Sequence, residues 1–311
     1  MLKYTLKRLL YMVLTLFIVI TITFFLIHAI PGDPLSSLAR NLPAQVKENF
    51  YAKYGLNKSV PEQYVMFLKN LCHGDFGESL KFPGRGVADI IEKHAPISAR
   101  LGLQAITIGV IVGIVLGIVA AFKRNRWPDH LVMFIAILGV CFPSFVLAAL
   151  LQYVLSVKFE LFPTAGWGTG KHTVLPTIAL CFGSVATYAR YMRSSVLDVI
   201  NQDYILTAKS KGISNFNLIW KHVIRNAIIP AITILAPQIA GIFGGSFVIE
   251  SIFAIPGLGS NLVDAVNNRD YTVIMGLTIF YCALYIVSLL MVDILYGVVD
   301  PRVRVSEEVA E

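Results

Sequence analysis

Six stretches of the chain run without a single Asp, Glu, Lys or Arg: Leu9 to Gly32, Leu101 to Phe122, Leu131 to Val157, His172 to Ala189, Asn226 to Ile249, and Tyr271 to Val292. Each approaches or exceeds the roughly 20 apolar residues that a helix needs to cross a bilayer core. Helices are the elements to expect there, because a helix satisfies its own backbone hydrogen bonds where lipid offers none. The pattern predicts an all-α polytopic membrane protein with six spans, at 9–30, about 100–122, 131–157, 173–192, 227–252 and 272–297. The first stretch is too long for a cleaved signal, and no small-residue cleavage site follows it, so it reads as a retained helix.

The polar segments between these stretches set the orientation. Lys3, Lys7 and Arg8 precede the first span, and Lys123, Arg124 and Arg126 separate the second from the third. Arg190, Arg193, Lys209, Lys211, Lys221 and Arg225 surround the segment between the fourth and fifth, while Arg302 and Arg304 follow the sixth. The other loops are poorer in basic residues, so both termini are expected in the cytoplasm. Residues 1–8 then form a cytoplasmic N-terminus, 31–97 a large external loop, 98–304 the membrane core and 305–311 a cytoplasmic tail. Within the external loop Tyr51, Tyr54, Tyr64, Phe67, Leu68 and Leu71 suffice for short amphipathic helices.

Composition agrees with this pattern. Only 14% of the 311 residues are charged and 56% are hydrophobic, against about 25% charged in a soluble domain. The net charge of +7 fits basic cytoplasmic loops rather than nucleic-acid binding. Cys72, Cys141, Cys181 and Cys282 form no C-x-x-C pair, and three of them lie in apolar runs, so neither a metal site nor a disulfide framework is expected. No cofactor is expected either.

Several spans carry packing marks. Gly109, Gly113 and Gly117 recur every four residues, giving the second span a smooth face for close approach of another helix. Pro143 interrupts the third span, and Pro230 and Pro237 mark the fifth.

The segment 193–225 is the longest loop on the predicted inner side. Val196, Ile200, Tyr204 and Ala208, with Val199 alongside, make one apolar stripe of a helix. Gly212 can end that helix in a left-handed conformation, and Ser214 can cap a second one through Phe216, Leu218, Ile219 and Trp220. Such a knob between two spans can dock into a soluble partner, or lie along the lipid surface; the pattern alone leaves both open.

The run from Asp203 through Tyr204, Ile205, Leu206, Thr207, Ala208, Lys209, Ser210 and Lys211 to Gly212 resembles the ATPase-coupling motif of binding-protein-dependent importer permeases, commonly written E-A-A-x-x-x-G. Leu206, Thr207 and Ala208 stand where E-A-A would, and the peptide-importer branch often has T-A-x-x-K-G, which Thr207, Ala208, Lys211 and Gly212 match. Arg225-Asn226-Ala227-Ile228-Ile229-Pro230 resembles that branch again. So do Pro31-Gly32-Asp33-Pro34, Gln63-Tyr64 and the run Gly74-Asp75-Phe76-Gly77-Glu78-Ser79. Glu250 and Phe253 followed by Pro256-Gly257-Leu258-Gly259 resemble the family's E-x-x-F-x-x-P-G-L-G signature, and Asp293 with Asp300-Pro301-Arg302-Val303-Arg304 its D-P-R-x-R ending. The chain therefore resembles the B-type permease subunit of the oligopeptide and dipeptide ABC importers.

That resemblance implies a permease of a bacterial inner membrane that hydrolyses no ATP itself. It implies a second homologous permease, two ATP-binding cassette ATPases on the cytoplasmic face, an external substrate-binding protein, a peptide substrate and surrounding lipid as partners. Asp203, Tyr204, Thr207, Ala208, Lys211 and Gly212 would couple to the ATPases. The nearest approach to a phosphate-cradling loop, Gly166 to His172, has Ala165 in place of the first required glycine and His172 in place of Ser or Thr. Three rival readings are an ion-coupled secondary transporter, a channel and an intramembrane enzyme. The first would need ionisable groups in the membrane core, but His28, His172, Glu250 and Asp293 all sit toward span ends. No selectivity filter or H-E-x-x-H sequence supports the other two. A non-peptide substrate such as nickel stays open.

Overall fold

A computed structural model of the chain describes residues 2–30, 44–53, 55–245 and 247–299. Among the described residues, twelve α-helices of six residues or more organise it: α1 Leu2–Ala29, α2 Ala44–Lys53, α3 Val60–Cys72, α4 Val87–Phe122, α5 Trp127–Cys141, α6 Ser144–Leu151, α7 Gly170–Ile200, α8 Asp203–Ser210, α9 Ile229–Gly245, α10 Phe247–Ile252, α11 Leu258–Asn268 and α12 Tyr271–Val299. Wider π-type winding continues α6 over Gln152–Lys158 and recurs over Leu218–Ile224. Among the described residues five helical stretches are long and apolar enough to cross a membrane, and six if α5 and α6 count as one bent span.

Two of these stretches differ from the predicted spans. The second span was expected at about 100–122, yet α4 starts at Val87 and carries Pro96 in its interior. Its extra turns form because Val87 and Ile90 bury an apolar face. The third span is broken: α5 and α6 meet at 105°. Pro143 has no N–H to donate, and it forces the preceding Phe142 into extended geometry (ψ 122°), so the α-helix cannot pass through.

The chain divides into two units. One comprises Met1–Ser98 with Pro256–Ile286. Here α3 packs on α1: Phe24 stacks on His28 at 4.0 Å and meets the rings of Tyr64 and Phe67, and the Thr21 and Tyr64 hydroxyls lie 2.6 Å apart. Val87, Ile90, Leu258, Ala265, Val273 and Leu277 form a second apolar cluster, joining the start of α4 to α11 and α12.

The other unit comprises Ala99–Ile255 with Val287–Glu311. Its centre is α7, along which both α5 and α6 lie. One apolar cluster joins Ala121, Tyr188, Met192 and Val196 to Ile205, Ala208, Leu218, Val223, Ala227 and Ala231. That cluster roots the segment between α7 and α9 onto the end of the bundle.

Candidate functional site

The segment between α7 and α9 is built by a sequence of caps. At its start α7 ends at Ile200, where Asn201 caps the helix and donates its side-chain amide to the Leu197 carbonyl (2.9 Å). Gln202 is extended (φ −80°, ψ 146°) and opens α8. The apolar stripe expected through Val196, Ile200, Tyr204 and Ala208 is therefore not one helix. The break re-phases the second piece, so Ile205 and Ala208 turn inward (4% and 6% exposed) and Tyr204 faces out at 43%.

At the far end of α8, Gly212 adopts φ +75°. Its N–H donates to the Lys209 carbonyl (3.0 Å), and that of Ile213 reaches the Ala208 carbonyl (3.4 Å). These two bonds make a Schellman closure, with Ile213 packing onto the cluster that holds Ala208. No neighbour lies within 4 Å of a Cβ built on Gly212, so glycine serves the backbone conformation and not a close approach. Ser214 Oγ then accepts the Asn217 N–H (3.4 Å) and starts the next helical stretch.

The outward face combines apolar and basic groups. Leu206, Phe216 and Trp220 are 60%, 71% and 57% exposed, and the two aromatic rings lie 6.2 Å apart. Asp203, Thr207, Lys209, Ser210, Lys211 and Lys221 are exposed around them. The Thr207 and Ser210 hydroxyls donate back to the carbonyls of Asp203 and Leu206, so what projects is aromatic and aliphatic surface ringed by ammonium groups. A rigidly mounted surface of this kind is suited to docking. Of the six residues predicted for coupling, Asp203, Tyr204, Thr207, Lys211 and Gly212 are exposed, and Ala208 is part of the root.

The glycines of α4 face α7. A Cβ on Gly109 would meet Ser184 Cβ at 2.7 Å, one on Gly113 would meet Tyr188 Cβ at 2.6 Å, and one on Gly117 would meet the Ala189 carbonyl at 2.6 Å. A Cβ on Gly139 of α5 would meet Ala186 Cβ at 2.6 Å; this glycine lies outside the four-residue spacing, which is why the periodicity did not single it out.

The remaining signature residues hold turns. Glu250 and Phe253 are buried in the unit that contains α7. The Glu250 carbonyl accepts the Ile255 N–H (2.8 Å), and the Phe253 carbonyl accepts that of Gly166 (2.8 Å). In the other unit His94 Nδ1 contacts the Pro256 carbonyl at 2.8 Å, and the Leu258 N–H donates to Ser98 Oγ at 2.8 Å. Pro256 is exposed, while Gly257 and Gly259 are buried at the start of α11. The Gly166 to His172 stretch caps α7, Thr169 and His172 forming its box. Pro31, Gly32, Asp33, Pro34, Asp300, Pro301 and Arg302 lie outside the described residues, as does the side chain of Asp293.

Two polar clusters escaped the sequence reading. Asp270 is 2% exposed and receives Ser79 and the Leu80 N–H. Asp129, also 2% exposed, binds Arg193 through both carboxylate oxygens. In sequence, each acid stands immediately at the start of an apolar helix, a position that signals an N-terminal acid but not its distant partner.

Comparison with known proteins gives consistent matches. The family described as "Binding-protein-dependent transport system inner membrane component" matches residues 113–305, and its N-terminal companion matches residues 1–85. The dipeptide transport system permease protein of Bacillus subtilis is 45% identical over 308 residues, covering 99% of this chain and 100% of the relative. The oligopeptide transport system permease protein of Haemophilus influenzae is 42% identical over 306 residues, covering 98% and 100%. A crystal structure of an amino acid ABC transporter with histidines superposes with a TM-score of 0.52 at 18% identity, covering 69% of this chain and 94% of that one. At that identity the likeness concerns the fold.

Proposed function

We propose a function from one premise: the chain belongs to the binding-protein-dependent transport system inner membrane components. It is a multi-pass inner-membrane permease of an ABC importer. Its substrate is a peptide, a reading supported by the names of relatives that share 42–45% of its residues over nearly its whole length. It pairs with a second permease, receives peptide from an external binding protein, and is driven by two ATPases on the cytoplasmic face, where both of its termini lie. ATP binding draws the ATPases together, the segment 203–212 moves with them, and the spans open outward; hydrolysis restores the inward-facing state.

The observation that carries this reading is the split character of α8 and the helical stretch that follows it. Ile205 and Ala208 anchor it in the bundle, while Leu206, Phe216 and Trp220 project with the lysines. A surface fixed to the membrane helices at its root and apolar at its tip can be gripped and can transmit the grip.

The test is Leu206→Glu, which alters the tip and leaves the root intact, beside Ala208→Asp, which strikes the root. In proteoliposomes containing the whole importer, both should abolish peptide uptake and peptide-stimulated ATP hydrolysis. Normal uptake by Leu206→Glu at normal expression would remove the coupling role.

A further inference from the structure

Asp129 stands in the first turn of α5, and its side chain is almost completely buried. Three donors converge on it. Arg193 Nε reaches Oδ1 at 2.5 Å, Arg193 Nη2 reaches Oδ2 at 2.7 Å, and the backbone N–H of Asn125 reaches Oδ2 at 2.9 Å. Asn125 lies in the α4–α5 turn in left-handed geometry (φ 59°), so one carboxylate ties that turn to α7. The two parallel bonds from Arg193 fix orientation as well as distance, which a single ammonium could not do.

The tie sits at a crowded junction. A Cβ on Gly117 of α4 would lie 3.1 Å from the Arg193 backbone nitrogen. Ala120 of α4, Val132 of α5 and Ala189 of α7 form one buried cluster beside it. About two turns beyond Arg193, α7 ends, and α8 follows after Asn201 and Gln202. Met192 and Val196, which flank Arg193 on α7, belong to the same buried cluster as Ile205 and Ala208. A displacement of α8 therefore reaches α7 at the turns where Asp129 holds it.

Asp129 is buried and Arg193 keeps a quarter of its side chain exposed. Desolvating the carboxylate offsets much of the attraction, so such a pair seldom adds much net stability over apolar residues of similar volume. A gain in positioning is the better account of this pair. We infer that Asp129 and Arg193 are positioning residues for energy coupling: their bidentate clamp makes the α4–α5 hairpin move with the end of α7 when the coupling segment moves. This inference rests on the coupling role proposed above.

The experiment uses the assembled importer in proteoliposomes with radiolabelled dialanine and trialanine. Variants Asp129→Asn, Arg193→Gln, Arg193→Lys and the double Asp129→Asn/Arg193→Gln are compared with Leu206→Glu. Three quantities are read: ATPase retained on the purified permease, ATP hydrolysed and peptide taken up. The clamp predicts retained ATPase and continued hydrolysis, with peptide moved per ATP falling about tenfold, within the range of ordinary coupling energies. Arg193→Lys should fall between wild type and Arg193→Gln, and the double variant should be no worse than the singles.

Uptake that falls only in proportion to the assembled complex would overturn the inference, as would wild-type peptide per ATP in every clamp variant. Failure of even Arg193→Lys to assemble would assign the pair to folding and overturn it too. If Leu206→Glu transports normally, the coupling role itself fails, an outcome separate from any of these.

Discussion

Ser79 donates its hydroxyl hydrogen to the carboxylate of Asp270, 191 positions further along the chain. Asp270 also accepts the Leu80 N–H at 3.2 Å, and Ser79 Oγ accepts the Phe82 N–H at 2.8 Å. One buried carboxylate thus pins the 79–82 loop to the start of α12. Replacing Asp270 with Asn leaves buried donors facing an amide, which should cost about 1–3 kcal/mol. Thermal unfolding of the purified permease in detergent should show a lowered midpoint. Ser79→Ala should lower it less, and the double variant should show non-additivity, because the two residues share one interaction.

The glycine row of α4 makes a sharper steric prediction. Gly113→Ala places a methyl 2.6 Å from Tyr188 Cβ and 2.9 Å from the Val185 carbonyl, so α4 and α7 must separate. Overpacking of this kind costs about 1–3 kcal/mol. Gly183 supplies the control, since a Cβ there meets only the Gly139 carbonyl at 3.7 Å. Gly183→Ala should be neutral or stabilising in the same melting assay, while Gly113→Ala should melt earlier.

Gly212 offers a substitution that tests conformation without touching packing. Alanine there must adopt φ +75°, at a cost of about 1 kcal/mol; asparagine tolerates the left-handed region better. Peptide uptake should decline in the order glycine, asparagine, alanine, and Gly212→Pro should abolish it. Equal uptake by all four would mean that the Schellman closure has no part in transport.

Glu62 gives a pH dependence. Its carboxylate accepts the N–H and the hydroxyl of Ser59, at 3.0 and 2.9 Å, as the capping box of α3. The backbone bond first, and then the hydroxyl, hold its pKa below the usual carboxylate range. A carboxyl whose pKa is lowered by folding contributes stability above its unfolded value and loses it as pH falls through the folded one. Protection of the amides in the first turn of α3 against hydrogen exchange should therefore be lost as the pH falls below the ordinary carboxylate range. In Glu62→Gln the same amides should exchange with no such step.

How much of this was legible in the sequence depends on the range of the interaction. The left-handed turn at Gly212, the Ser214 cap and the close face at Gly109, Gly113 and Gly117 are local or periodic, and each left a mark in residue type and spacing. The break at Asn201 and Gln202 is also local but ambiguous, since neither residue forbids a helix; the burial of Ile205 and Ala208 decides it. Asp129 with Arg193 and Ser79 with Asp270 join residues far apart in sequence. Each member could be read as a surface charge or a helix cap, and only the fold selects its partner. The length of α4 was hidden for a related reason. Charged residues such as Glu92 and Lys93 end an apolar run without ending a helix.

The central claim is that the tip of α8 is held by an ATPase subunit inside the cell. A photoreactive benzoylphenylalanine placed at Leu206, in the importer assembled in native membranes, tests it directly. Irradiation should join the permease to the ATPase, with the adduct strengthened by ATP; the same group at Val115, exposed on α4, should give no such product. An adduct at 206 with the external binding protein, or labelling of a cysteine at 206 by an impermeant reagent added outside intact cells, would contradict the account.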